Sequence, residues 1–183
     1  MIRLFAALEL PVPVRDALLA VMGGVSGARW QKDEQLHLTL RFIGEVDRHS
    51  AADITAALGA VNVQPFSLAL GGVGTFDRRG RIDALWVGVQ PHDAVGALAR
   101  RVNAALARVG IAPETRAFQP HITVARFGNA AGSIGTFPAA PLPISPFTIS
   151  GFALWESRLG HDGADYRVIE RYPSAGRRGA RGE

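Results

Sequence analysis

His37-Leu38-Thr39-Leu40 and His121-Ile122-Thr123-Val124 are two copies of one pattern, a histidine and a threonine one residue apart among aliphatic neighbours. Each runs on into arginine, phenylalanine and glycine: Arg41-Phe42-Ile43-Gly44 after the first, and Arg126-Phe127-Gly128, one place later, after the second. Side chains on a strand alternate between faces, so His37 and Thr39 share one face while Leu36, Leu38 and Leu40 share the other. The same parity joins His121 to Thr123 and sends Ile122 and Val124 to the back. Each stretch reads as a strand with an apolar back for a core and a His/Thr front for something polar. A lone histidine on a strand is commonly a hydrogen-bonded structural residue. The matched pair instead predicts two similar lobes related by a pseudo-twofold, with both imidazoles and both hydroxyls in one central cleft.

The rest of the chain supplies elements for such lobes. Residues 3–10 form an apolar run stopped by Pro11 and Pro13, and Val14, Ala17, Leu18, Val21, Met22 and Val25 then recur at helical spacing. Residues 28–31 predict a short strand, and Asp47 or Ser50 caps a second helix carrying Ala51, Ile54, Leu58 and Val61. Residues 65–73 and 84–89 read as a hairpin whose tip, Asp77-Arg78-Arg79-Gly80-Arg81, is basic. Asp93 opens a third helix through Val95, Leu98, Ala99, Val102 and Leu106, and Gly110 stops it. Pro120 starts the second His/Thr strand, residues 129–146 read as an irregular connection, and two last strands turn at His161-Asp162-Gly163. Helices alternate with mostly antiparallel strands, which predicts an α+β fold: two lobes of antiparallel sheet with helices outside, in one bilobal domain over residues 1–172.

Composition narrows the chemistry. The chain of 183 residues has no cysteine, which excludes disulfides, thiolate catalysis and Cys-ligated metals and suits a reducing cytoplasm. Glu9 and Pro11 interrupt the apolar N-terminus before a signal peptide is complete, and no run nears the roughly 20 apolar residues of a membrane span, so a soluble cytoplasmic protein is expected. Lys32 is the only lysine among 20 Lys and Arg, and the net charge is +4. Arginine's planar fork suits phosphate. Three arginines after residue 173, Arg177, Arg178 and Arg181, lie in a Gly/Ala/Arg tail over residues 173–183 that is expected to be disordered.

At its two motifs the chain resembles the 2H phosphoesterase superfamily, defined by paired His-x-Thr/Ser-x motifs, and within it the RNA 2′,3′-cyclic phosphodiesterases also called 2′-5′ RNA ligases. The likeness extends to Arg3-Leu4-Phe5-Ala6-Ala7-Leu8-Glu9-Leu10, to Leu85-Trp86-Val87-Gly88-Val89 and to Leu154-Trp155-Glu156-Ser157, and so covers nearly everything up to Tyr172. The resemblance implies hydrolysis of a 2′,3′-cyclic phosphate to a 2′-phosphomonoester without metal or other cofactor, on RNA or oligonucleotide ends. It implies His37 as proton donor and His121 as proton acceptor, with Thr39 and Thr123 on the non-bridging oxygens and Arg126 on the phosphate. A monomer is expected.

Arg126 conflicts with strict alternation, which sends it to the face of Ile122 and Val124 and leaves Arg41 on the face of His37. Either a bulge near Ala125 re-aims Arg126, or Arg41 takes its place; the resemblance favours the bulge. Phe76, just before the basic hairpin tip, is a candidate for stacking on a base, or else a core ring. His49, His92 and His161 stand in turn or capping contexts and read as surface residues. Three rival functions remain: a metal site, disfavoured because no histidine has a second ligand at suitable spacing; a non-catalytic RNA-binding module; and 2′-5′ RNA ligation, the same chemistry reversed. No Walker-type loop calls for ATP.

Overall fold

The protein was analysed as a computed structural model; the residues described are 1–128, 134, 135, 137, 138, 142, 145–160 and 163–174. The expected turn at His161-Asp162, most of the connection over 129–146 and the tail beyond Ser174 lie outside them.

β1 (Ile2–Glu9) is buried on both faces, Leu4, Ala6 and Leu8 entering the main core and Phe5 and Ala7 a small second cluster. Pro13 sits in the first turn of α1 (Val12–Val21), where its missing N–H costs nothing, and the helix buries Val14, Leu18 and Val21. β2 (Ala28–Trp30) and a 3-10 turn (Asp33–Gln35) lead to β3 (His37–Val46). The Asp47 carboxylate caps α2 (Arg48–Gly59) by accepting from the Ser50 N–H at 2.8 Å.

β4 (Phe66–Arg78) and β5 (Arg81–Gln90) run further into the basic segment than the sequence suggests. Arg79 and Gly80 both adopt positive φ, 53° and 76°, so the tip is a two-residue turn that matches the strand twist. α3 (His92–Arg108) starts one residue before Asp93 and buries Val95, Leu98, Ala99, Val102, Ala105 and Leu106; Gly110, at φ 82°, takes the left-handed conformation after it. β6 (His121–Phe127) begins at the histidine itself, after Pro120. β7 (Phe147–Ile149), β8 (Gly151–Gly160) and β9 (Gly163–Pro173) complete the described chain. Ser174 is buried and donates its N–H to the Ser150 carbonyl at 2.8 Å, so ordered packing continues two residues past the expected boundary at Tyr172. No described helix is long and apolar enough to cross a membrane.

The described strands pair antiparallel in the order β7-β4-β5-β6-β3-β1-β8-β9, with β2 also on β6. Read outward from the middle, this order repeats itself: β6 matches β3, β5 matches β1, β4 matches β8 and β7 matches β9. A helix joins each inner pair, α1 between β1 and β3 and α3 between β5 and β6. The α+β fold with two similar halves is therefore present, and the halves meet where β3 pairs with β6, at Leu38↔Ile122.

Candidate active site

Leu38 and Ile122 are the same residue of the two motifs, so the local twofold runs through this pair. Counting outward along antiparallel strands sets His37 across from Thr123 and Thr39 across from His121. All four share one face, and the histidines occupy opposite corners, a diagonal that spans about 7–8 Å on a regular ladder. The structure gathers His37, Thr39, His121, Thr123 and Arg126 around one cleft of about 350 Å³.

Each imidazole is tied to the chain two residues before it: Nδ1 of His37 lies 2.7 Å from the Gln35 carbonyl, and Nδ1 of His121 lies 2.7 Å from the Gln119 carbonyl. A carbonyl oxygen only accepts, so both Nδ1 atoms donate and each neutral ring keeps its lone pair on Nε2. The signal is visible in the sequence as a glutamine two places before each histidine, although only its backbone holds the ring. The Gln35 side chain does more: its amide donates to the Ala164 carbonyl at 2.7 Å and its Oε1 accepts from the Lys32 N–H at 2.9 Å, fixing the turn before β3.

Aromatic rings set the local polarity. His37 lies against Phe5 at 4.9 Å, Tyr166 at 5.2 Å and Trp155 at 5.9 Å; His121 has Phe76 edge-on at 4.7 Å and Trp86 at 6.2 Å. Burial lowers the His37 pKa to about 4, with the charges of His121 and Arg126 pushing the same way against the Gln35 carbonyl. His121 is lowered too, by burial first and then by Arg126. Among the described residues neither threonine hydroxyl has a hydrogen-bond partner, so both are free for a ligand. No group of three His, Cys, Asp or Glu suited to a metal ion occurs among the described residues.

The bulge near Ala125 is present: Trp86 pairs with Thr123 and Leu85 with Ala125, skipping Val124. It inverts the parity, burying Ala125 and bringing Arg126 to the cleft face, where Nη1 lies 3.7 Å from the Asp83 carboxylate. β3 has a bulge of its own, since Ala7 pairs with Thr39 and Ala6 with Arg41, skipping Leu40. Arg41 is therefore turned away from the His37 face, a correction to the simple strand reading. Only 9% exposed, it donates to the Ala112 carbonyl and lies 3.6 Å from Glu114. The residue re-aimed into the cleft is Phe42, 41% exposed. Phe42 stands five residues after His37 as Arg126 does after His121, a spacing that identifies it in the sequence.

Phe76 packs against His121 and, at 5.7 Å, against Trp86; it does not line the cleft but a larger cavity beside it. His49 is 91% exposed, 3.7 Å from Asp53 on α2. His92 is exposed but borders the same larger cavity, and His161 lies outside the described residues. Residues that the sequence reading missed at the cleft include Phe42, Tyr166, Gln35, Arg3 and Gln31.

The family model of the 2′-5′ RNA ligase superfamily matches residues 25–161. An RNA 2′,3′-cyclic phosphodiesterase of Geobacillus stearothermophilus is 31% identical over 94% of this chain, which spans 57% of that relative's length. One from Archaeoglobus fulgidus is 35% identical over 68% of this chain and 72% of its own. The crystal structure of Escherichia coli LigT complexed with 3′-AMP superimposes with a TM-score of 0.77 at 26% identity, covering 95% of this chain and 98% of that one. The chain belongs to the 2′-5′ RNA ligase superfamily.

Proposed function

We propose that the protein hydrolyses RNA and nucleotide 2′,3′-cyclic phosphates to 2′-phosphomonoesters by two-histidine acid/base catalysis without a metal or other cofactor. The observation that carries this reading is the Leu38↔Ile122 register, which gives two imidazoles on one diagonal of a square and two threonine hydroxyls on the other. A phosphodiester at its centre presents the same symmetry: an attacking and a leaving oxygen in line, and two non-bridging oxygens across them.

In this reading water attacks phosphorus and gives its proton to Nε2 of His121. The P–O3′ bond breaks, and the departing 3′ oxygen takes a proton from Nε2 of His37. Thr39 and Thr123 each donate to one non-bridging oxygen, and the Arg126 guanidinium, held loosely by the exposed Asp83, pairs with the phosphate as charge builds on it. In the free protein burial is the largest cause holding both pKa values down, that of His37 to about 4. An anionic phosphate against the His37 ring favours the charged form and offsets part of the burial that holds it down. The names of the relatives support the substrate class, and the Nδ1–carbonyl bonds support Nε2 as the reacting nitrogen of each ring.

The test is incubation with a nucleoside 2′,3′-cyclic phosphate in excess EDTA. A 2′-monoester formed at the rate seen without chelator is expected. A 3′-monoester, or activity lost in EDTA and restored by zinc or manganese, overturns the assignment.

A further inference from the structure

The sheet sets a second cation beside Arg126 that the proposed chemistry does not use. β5 covers one edge of β6 from His121 to Arg126, so β3 and β2 share the other: β3 holds Ile122, and β2 holds Ala125, Arg126 and Phe127. Between the two, the Gln31 N–H donates to the Val124 carbonyl at 2.9 Å. Ala28 and Trp30 pack against the main core, which turns Arg29 and Gln31 to the opposite face. That is the face of the cleft, since Gln31 lines it with Thr123 and Arg126.

Arg29 and Arg126 pair directly across β2 and β6, a position in which Cβ atoms stand about 4.5–5.5 Å apart on a regular ladder and like charges repel. Arg126 is offset by the Asp83 carboxylate, 3.7 Å away. The exposed Arg29 guanidinium has no hydrogen bond or ion pair among the described residues. An unopposed like-charge pair on an edge strand beside a phosphate site suits a ligand that brings more than one negative charge.

Which charge reaches Arg29 follows from the in-line geometry. The departing 3′ oxygen lies towards His37, and the ribose, with everything 5′ of it, hangs from that oxygen. The body of an RNA therefore leaves phosphorus on the His37 side, and beyond His37 the same edge of β6 is continued by β2, past Gln31 to Arg29. We infer that Arg29 is a specificity residue: its planar fork pairs with the phosphodiester that joins the terminal nucleotide to its 5′ neighbour, so the protein acts on RNA ends in preference to free nucleoside 2′,3′-cyclic phosphates. The inference rests on the proposed function, with His37 on the leaving-group side. Each arginine of the pair then faces an anion of its own, Arg126 the cyclic phosphate and Arg29 the next linkage.

The test compares wild type with Arg29→Ala on three substrates: a nucleoside 2′,3′-cyclic phosphate, a dinucleotide ending in the same cyclic phosphate, and that dinucleotide with its internal linkage made an uncharged methylphosphonate. Wild type should favour the charged dinucleotide over the methylphosphonate by about fivefold or more in kcat/KM, while Arg29→Ala treats the two alike and hydrolyses the nucleoside cyclic phosphate within about twofold of wild type. A wild type indifferent to the internal charge, or a variant that keeps the preference, overturns the inference and leaves the hydrolase reading intact. A variant that loses equally on all three substrates overturns it as well, because Arg29 would then serve the terminal phosphate. A wild type that hydrolyses none of them overturns both. Fluorescence anisotropy of a labelled oligoribonucleotide ending in a 2′-phosphate reads the contact without turnover: the slope of log affinity against log salt should be shallower by about 0.7 in Arg29→Ala, and an unchanged slope sinks the contact.

Discussion

The half that carries His37 and the half that carries His121 share a backbone plan and differ in what fills it. In both, the outer neighbour strand lies beyond the inner one with matching register: Ala7 and Trp86 each pair with the motif threonine, and Ala153 and Gly74 each pair with those residues in turn. In the His37 half the two positions are small, and the bulk stands two rungs away, in Phe5 and Trp155. In the His121 half Trp86 itself is the bulk, and it lies flat over Gly74; a Cβ there would come within 2.2 Å of the indole. The cleft-facing residue after the bulge is Phe42 in one half and Arg126 in the other. The frame locates two imidazoles symmetrically, and the side chains in equivalent places make the two unlike. Burial is the largest cause lowering both imidazoles, His37 to about 4.

The comparison breaks most visibly at the histidines. His37→Ala or His121→Ala should each lower cyclic-phosphate turnover by about 10²-fold or more, with the double variant little worse than the poorer single one, since acid and base act as a unit. Initial rates of the folded variants check it, and a mild loss in either would mean that one half alone does the chemistry.

Arg126→Ala comes next. Losing a charged hydrogen bond to phosphate costs about 1.5–3 kcal/mol, roughly 10- to 100-fold in kcat/KM. It also removes a positive charge that depresses both histidines, so the kcat/KM profile should move to higher pH; in wild type both limbs should lie below the ordinary histidine value of about 6.5. A profile that stays in place would detach Arg126 from the pair.

Gly74→Val sharpens the difference between the halves. The indole must leave its bed on β4, and overpacking of this kind costs about 1–3 kcal/mol of stability. Activity should fall by less than in Arg126→Ala, because Trp86 is only an outer neighbour of His121. Ala153→Val, at the equivalent place, should not disturb His121, and melting temperatures with kcat for both variants test the contrast.

The last effect is read in stability. A histidine lowered from 6.5 to about 4 binds fewer protons folded than unfolded between those values. Stability is therefore intact above pH 6.5 and lost as pH falls towards 4, by at most about 3 kcal/mol at 1.36 kcal/mol per pH unit. Denaturation midpoints of wild type and a folded His37→Gln variant between pH 7 and pH 4 should converge in slope only if His37 is not the titrating group.

Much of this was legible because it is local or repeated. Parity put the two His/Thr pairs on polar faces, the helical faces of α1, α2 and α3 were countable, and the conflict between Arg126 and strict alternation called for the bulge that is found. The bulge at Leu40 left no such mark. Arg41 fits either parity as a residue type, and what decides it is a carbonyl at Ala112 and a carboxylate at Glu114, more than seventy positions away in the chain. Phe42 was hidden because matching the two Arg-Phe steps by name aligned Arg41 with Arg126, whereas counting from the histidines aligns Phe42 with it. The pairing of β1 with β8 joins residues about 150 apart, and nothing in either strand names the other.

The β3–β6 contact has a mechanical side. The described strand pairings between the halves are the rung Leu38↔Ile122 of β3 and β6 and the three rungs of β2 on β6, Ala28↔Phe127, Arg29↔Arg126 and Trp30↔Ala125, with α2 and α3 touching behind them. Each imidazole is seated by its own half: the ring against its own aromatics, Nδ1 on its own upstream carbonyl. Each ring's tautomer and seat are therefore set within one half, while the span between the two Nε2 atoms is set by how β2 and β3 together lie on β6.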